Sequence, residues 1–472
     1  MTRRGDEYLE SLKDGRQVWL AGELVDVTTH PALAGCAQTV ASIYDLQHDP
    51  AWRDVLTMES PESGDRVSLG YLLPRSTDDL GRRRRMIELL MRRGGAVMGR
   101  LPEYMALIMV GLYDTRQLLG EEDQAFCANV DAYFSYCREN DLALTHGFGD
   151  PPRARGLPLD AFERLKVVDQ GADGITIRGV KSVATLAPYA NEFLGLTAPA
   201  PELKPEEIVY FGVPINASGV HLVCREPLAS QAPQDHPLSA RYDEMDAWVV
   251  FDDVFVPRER VFYLRRADMN NQVFARVLAW ASYHVLTRVA VKAEVLLGIC
   301  AAVTDYLGTS KTEHSQIVLS KLIAHVEALR ALLDKAEAQA VPSPSGLLLP
   351  NPALIQAGRV IAMEQHPKLL QLVREACGSG LLMAPRQADL DNPRIGAFMA
   401  RYVAGQDERA LERYRLLRLA WDYLADGFGS RQLLFEMYNA NTLPVSRQRL
   451  LNNYDTSPYI QLAKELAGIA VS

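Results

Sequence analysis

Arg100 and Tyr104 stand four residues apart in Gly-Arg-Leu-Pro-Glu-Tyr, residues 99–104, with Pro102 between them. A guanidinium stays cationic at any relevant pH. Beside a phenolic ligand it favours the ionised oxygen, so Arg100 and Tyr104 together suit an oxyanion or phenolate. They equally suit a structural corner, with Arg100 neutralising a helix C-terminus and Tyr104 in the core. His146 is a second candidate, in Asp-Leu-Ala-Leu-Thr-His-Gly-Phe-Gly-Asp-Pro-Pro, residues 141–152. An imidazole can exchange protons near neutral pH, although a lone histidine is more often structural. Gly147 and Gly149 would let backbone N–H groups approach a flat ligand, and Pro151 and Pro152 would stiffen the loop. Thr185 offers a hydroxyl to a cofactor edge, or simply β-propensity. Glycine-rich breaks at 375–385 and 427–441 could be turns. They could also present helix N-terminal amides to a pyrophosphate, with Arg431 adding charge. The run Arg82–Arg85 reads as a solvated helix face paired with Asp78 and Asp79.

Three textures must position these residues. Residues 1–143 carry apolar residues at helical spacing, as in 32–49, 80–99 and 121–140, and a buried helix is predicted after Pro102. Residues 144–268 are short β-branched runs broken by Gly, Pro, Asp and Asn, and Ala-Asp-Gly at 172–174 signals a hairpin. Residues 269–472 return to long helices. There Val318, Leu322, Val326, Leu329, Leu333 and Ala336 mark a bundle seam. The order does not alternate strand and helix, which disfavours Rossmann and barrel folds. No GxGxxG follows a strand and no GxxxxGK[ST] occurs, so any nucleotide or flavin must be held another way.

The chain has 472 residues, enough for two or three domains. Its net charge of −9 disfavours nucleic acid as the main partner. The six cysteines lack CxxC spacing, so neither a zinc site nor a thioredoxin-type motif is suggested. There is no apolar signal segment at the N-terminus and no window of 18 apolar residues. A reduced, cytoplasmic protein without a membrane span is expected.

Taken together and in order, residues 3–33, 99–104, 141–152, 181–192, 252–262 and 428–438 make nearly the whole chain resemble one family. This is the oxygenase component of the two-component, reduced-flavin-dependent aromatic monooxygenases typified by 4-hydroxyphenylacetate 3-monooxygenase. The resemblance implies an α+β, mostly α, acyl-CoA-dehydrogenase-like fold. Its domains would be an N-terminal helical domain (1–143), a central β domain (144–268) and a C-terminal helical bundle (269–472) that forms homotetramers. It implies FAD bound as FADH2, delivered by a separate NAD(P)H flavin reductase, with molecular oxygen as co-substrate. A flavin C4a-hydroperoxide would then hydroxylate a phenol ortho to its hydroxyl. Arg100, Tyr104 and His146 match the residues around that hydroxyl. Thr185 matches a threonine beside the flavin ring. His146, Gly147, Phe148, Pro152 and Arg153 match one flavin-contacting region. Ser430, Arg431 and Gln432 match another, contributed by a neighbouring subunit.

One departure stands out. Relatives acting on phenylacetates hold the substrate carboxylate with small hydroxyl residues of a β-domain loop. Here that loop reads Leu-Gly-Leu-Thr-Ala-Pro-Ala-Pro, residues 194–201, and offers Thr197 alone. The expected substrate is therefore a phenol with a different tail, such as an amino acid, a larger natural-product phenol or a carrier-tethered phenol. Flavin-dependent dehydrogenases or dehydratases acting on an acyl-CoA are the alternatives. The dehydratases resemble this family but hold an iron–sulfur cluster through three Cys and one His. Here His284 is followed seven residues on by Val291, and 99–104 contains no Cys, so the cluster lacks its thiolates.

Overall fold

The bundle seam packs as its spacing predicts. Val318, Leu322, Val326, Leu329, Leu333 and Ala336 are all buried along the helix Glu313–Ala338. We describe the protein from a computed structural model, which covers residues 1–152, 163–200, 202–403 and 409–469. The 40-residue helix Ala267–Tyr306 is the bundle's axis. It packs against the helices Pro102–Gly120, Glu313–Ala338 and Pro352–Cys377. Pro102 starts its helix rather than ending one. It occupies the first helical turn, where a missing N–H costs nothing, and Leu101 before it is extended.

The strands run in chain order as β1 (Gln17–Leu20), β2 (Glu23–Leu24), β3 (Thr57–Glu59), β4 (Arg66–Ser68), β5 (Leu144–Gly147) and β6 (Lys166–Gln170). There follow β7 (Gly174–Thr185), β8 (Glu192–Gly195), β9 (Val209–Pro214), β10 (Val220–Cys224), β11 (Asp246–Pro257) and β12 (Val261–Leu264). Six form a sheet in the order β2-β1-β10-β11-β7-β6, and four form a second in the order β12-β9-β8-β5. The turn between β6 and β7 falls on the Ala-Asp-Gly signal. The helical texture of the first zone gives no sign of β1 and β2. β1 pairs in parallel with β10, so residues 17–24 extend the sheet built mainly by the central zone.

The four-arginine run departs from its reading as a solvated face. Arg83 is fully buried and donates to the carbonyls of Gly70 and Leu72. Burial pushes its guanidinium down to about 10. Arg84 pairs with Glu88 and reaches Asp334 and Glu337. Four consecutive helical positions span more than one turn, so one of them must face inward. No helix among the described residues is long and apolar enough to cross a membrane.

Candidate active site

The 99–104 segment is held by a carboxylate from the β zone. Buried Glu244 accepts the backbone N–H of Gly99 at 2.8 Å and of Arg100 at 3.2 Å. Gly99 lies against Phe435, where a Cβ would come within 2.4 Å of the ring. The Arg100 guanidinium then lies 4.2 Å above the centroid of the Tyr104 ring, a cation–π contact. It donates to the Gly99 carbonyl and to Asn439 Oδ1. Burial lowers the Arg100 guanidinium's proton affinity.

His146 lies on β5 beside them. Its ring stacks on Phe148 at 4.0 Å and 23°, and lies 6.0 Å from Tyr104. Both ring nitrogens are buried without a hydrogen-bond partner. Burial first, and the Arg100 charge second, hold the imidazole well below its ordinary pKa. It is therefore neutral across the physiological range, with one nitrogen ready to accept a hydrogen bond. Behind Tyr104 stands a second buried pair. His284 meets the Tyr104 ring edge-on at 5.0 Å, and its Nε2 is 3.4 Å from Glu103 Oε1. Burial pushes the Glu103 carboxyl up to about 8.

Arg100, Tyr104, His146, Phe148, Thr185 and Arg431 all line one cavity of about 1030 Å³ between the sheets and the helices. Thr185 and Asp246 are directly paired across β7 and β11, so the Thr185 hydroxyl donates to Asp246 at 2.7 Å. Its proton is thus used within the protein, and it faces a ligand as an acceptor. Arg431 makes two bonds to Asp246 and one to Glu244. Although burial opposes it, Arg431 and Arg225 hold the Asp246 carboxyl well below the usual range. Arg431 thus ties the Glu244 clamp to the end of β11.

Other residues fall outside this cavity's lining. Gly147 is a packing glycine, since a Cβ there would lie 2.8 Å from the Lys181 Cβ and 2.9 Å from the Phe193 ring. The adjacent Gly149 lines the cavity instead. Pro152 is exposed, and Arg153 lies outside the described residues. Ser430 is exposed and donates to the Asp426 carbonyl. Gln432 is buried, donating to the Val97 carbonyl and accepting from Lys292. Thr197 departs most clearly from its expected role. Its buried hydroxyl has one proton, shared between the carbonyls of Glu207 at 2.9 Å and Val209 at 3.2 Å, and it accepts the Val209 N–H. It anchors its own loop, and among the described residues of that loop Ala198 and Pro199 are the ones that reach the cavity.

Sequence reasoning missed the wall that follows the helix Gly427–Tyr438. Asn439, Ala440 and Asn441 line the cavity, as do Thr442, Val445 and Arg449 at the start and along one face of the helix Leu443–Asn452. The 427–441 stretch stood out for its glycines, whereas Asn439 is what meets Arg100. Left-handed backbone at Ala440 and Asn441, φ 54° and 103°, makes that turn. Asparagine is among the residues that tolerate it, and this was the available signal.

A helical block, a β block and a long-helix bundle in that order make an acyl-CoA-dehydrogenase-like fold, with Arg100, Tyr104 and His146 lining the cavity between them. Residues 4–263 match the family 4-hydroxyphenylacetate 3-hydroxylase N terminal, and residues 270–468 match 4-hydroxyphenylacetate 3-hydroxylase C terminal. The chain belongs to this family, the oxygenase components of two-component, FADH2-dependent phenol hydroxylases. It is 35% identical over 469 residues to the 4-hydroxyphenylacetate 3-monooxygenase oxygenase component of Thermus thermophilus, covering 97% of this chain and 96% of the relative. It is 32% identical over 450 residues, 93% of this chain and 85% of the relative, to a Streptomyces globisporus monooxygenase of a peptidyl-carrier-bound chlorohydroxyphenyl amino acid. A solved 4-hydroxyphenylacetate 3-monooxygenase oxygenase component, complexed with FAD and 4-hydroxyphenylacetate, superposes with a TM-score of 0.92 at 35% identity, over 98% of both chains. A 4-hydroxybutyryl-CoA dehydratase from N. maritimus shares the fold, with a TM-score of 0.90 at 21% identity over 100% of this chain and 96% of that one. Among the described residues the side chains grouped as metal ligands are His236, Asp422 and Asp426. They include no Cys and do not line the cavity.

Proposed function

We propose that this chain inserts one oxygen atom of O2 into a phenol ring, ortho to its hydroxyl, with the second atom leaving as water. The carrying observation is that Arg100, Tyr104 and an unpartnered, neutral His146 lie beside one another in the lining of one cavity. Unpartnered buried nitrogens are costly, each about 1–3 kcal/mol, and a ligand hydroxyl would satisfy one. In this reading His146 accepts a hydrogen bond from the phenol and orients it. Arg100 stabilises negative charge on the phenol oxygen, which enriches the ortho carbon. Phe148, Phe274 and Leu278 keep the ring's surroundings dry.

The cavity also fits a flavin. Val183, Val223 and Trp248 present an exposed apolar surface at its β side, with Ser182, Thr185 and Gly149 beside them. These residues would hold reduced FAD supplied by a separate NAD(P)H flavin reductase. When bound, the flavin supplies the reduction of oxygen that side chains do not perform. An acyl-CoA dehydrogenase needs a free carboxylate base. Asp246 is the carboxylate lining this cavity among the described residues, and it is bonded to Thr185, Arg225 and Arg431. We extend the proposal to a homotetramer. The helix Ser457–Leu466 exposes Tyr459, Ile460, Leu462 and Leu466 together, a surface suited to burial against another copy.

The test replaces Arg100 or His146 by Ala and supplies reduced FAD from any flavin reductase. Reduced flavin should still be oxidised by O2, while the yield of hydroxylated phenol per flavin falls at least about tenfold, the equivalent of 1.4 kcal/mol in partitioning. Wild-type product yield in both variants would remove these residues from the site.

A further inference from the structure

We propose that Phe435 is a positioning residue for the hydroxylation: its ring holds the Arg100 guanidinium in the cavity as an unneutralised cation, so that the charge is available to the phenol oxygen. The inference rests on the phenol-hydroxylase reading and adds a residue to which that reading gives no part.

Three guanidiniums surround this one ring. The Cζ of Arg431 lies 4.6 Å from its centroid, that of Arg288 5.2 Å and that of Arg100 5.4 Å. All three are within the range at which a ring quadrupole attracts a cation. Two of them have their charge matched elsewhere. Arg431 is bonded to Asp246 and Glu244, and Arg288 to both carboxylate oxygens of Glu436. Arg100 differs. Its guanidinium bonds to the Gly99 carbonyl and to Asn439 Oδ1, neither of them an anion. Burial opposes its charge most, and the Arg288 and Arg431 cations add to that. Two rings offset part of this cost, Tyr104 at 4.2 Å and Phe435 at 5.4 Å. A carboxylate in their place would neutralise the cation and compete with a phenolate. A ring attracts the cation and leaves its charge unmatched.

The ring's own place is fixed from several directions. Arg431 precedes Phe435 by four residues on the helix Gly427–Tyr438, so the two share a face and stack. Gly99 lies directly against the ring, and a Cβ there would come within 2.4 Å of it. The backbone that carries Arg100 therefore rests on Phe435. The next residue, Glu436, points roughly 100° further round the helix. Arg288 and Lys292 bind it there, from the helix Ala267–Tyr306. That buried cluster sets the rotation of the helix, and Phe435 faces the cavity it lines. The carboxylate beside Arg100 is meanwhile engaged elsewhere. Glu244 takes the Gly99 and Arg100 N–H groups on Oε2 and Arg431 on Oε1. The Arg100 guanidinium is left to the rings and to the ligand.

The experiment uses full-length protein and a nitrophenol, titrated against pH with protein in excess and without flavin or turnover. The variants are F435L, F435Y, R100Q and F435L combined with R100Q. A further protein carries pentafluorophenylalanine in place of Phe435, which keeps the ring's shape and reverses its quadrupole. It supplies the reading if F435L does not fold. F435L and the fluorinated protein should each raise the pKa of the bound nitrophenol by about half a unit, a roughly threefold loss of phenolate stabilisation, while F435Y should stay within about 0.2 unit of wild type. In the R100Q background F435L should add nothing, because the ring acts through the guanidinium. A wild-type bound pKa in F435L, or in the fluorinated protein, overturns the proposal. An F435L shift of the same size with and without Arg100 also overturns it, as does an F435Y shift equal to that of F435L. Phe435 would then only shape the cavity. An R100Q variant with the wild-type bound pKa removes Arg100 from the phenol oxygen and the proposal with it. The expected shifts in an enzyme that forms no hydroxylated phenol would sink the hydroxylase reading alone.

Discussion

Replacing Arg100 by Gln tests the electrostatic core of the site without emptying it. Gln keeps a donor for Asn439 and removes the charge. A unit charge about 4 Å from a phenolate oxygen is worth about 4 kcal/mol at an effective dielectric constant of 20. Water would also have stabilised that phenolate, so the net benefit of a charged hydrogen bond is smaller, about 1.5–3 kcal/mol. At 1.36 kcal/mol per pKa unit, wild-type protein should lower the pKa of a bound phenol by about 1–2 units more than R100Q does. A nitrophenol reports this directly, because its phenolate absorbs visible light. The probe is titrated against pH with protein in excess, with no flavin and no turnover. Because His146 is held neutral by burial and by Arg100 itself, its own titration should not intrude above pH 6.5. Equal bound pKa values in wild type and R100Q would refute the reasoning. The cation would then serve packing over Tyr104, not the phenol oxygen.

Two further outcomes follow from the buried groups around the site. Glu103 has its carboxyl pushed from 4.5 up to about 8, so it favours the folded state fully below 4.5 and loses that contribution as pH rises toward 8. E103Q is neutral throughout, so its stability relative to wild type, followed as the Tm difference, should rise between about pH 5 and 9, toward a free-energy ceiling of roughly 5 kcal/mol; a Tm difference that is flat with pH would show that Glu103 is ionised in the fold. T197V removes one donor, shared between two carbonyls, and one accepted bond within its own loop. It should lower stability by about 1–3 kcal/mol in denaturant unfolding, yet leave the Kd of a bound phenol in place. Weakened phenol binding with stability intact would return Thr197 to the substrate site.

The order of helices, strands and bundle was legible in the sequence because periodicity is a local property. The seam from Val318 to Ala336 and the turn at 172–174 needed only their own neighbours in the chain. Arg100, Tyr104 and His146 could be singled out by type, and the cavity brings all three together. Their electrostatics could not be read in this way. The neutrality of His146 and the raised pKa of Glu103 come first from burial, which depends on packing between distant segments. Residues 17–20 became a strand only because β10, some two hundred residues later, offered an edge. Thr197 had the right chemistry for a ligand, but its loop turned the hydroxyl onto its own backbone. Arg449 had no motif at all. Only the tertiary structure sets it on the cavity wall, because the residues that line a cavity are decided by what folds around it.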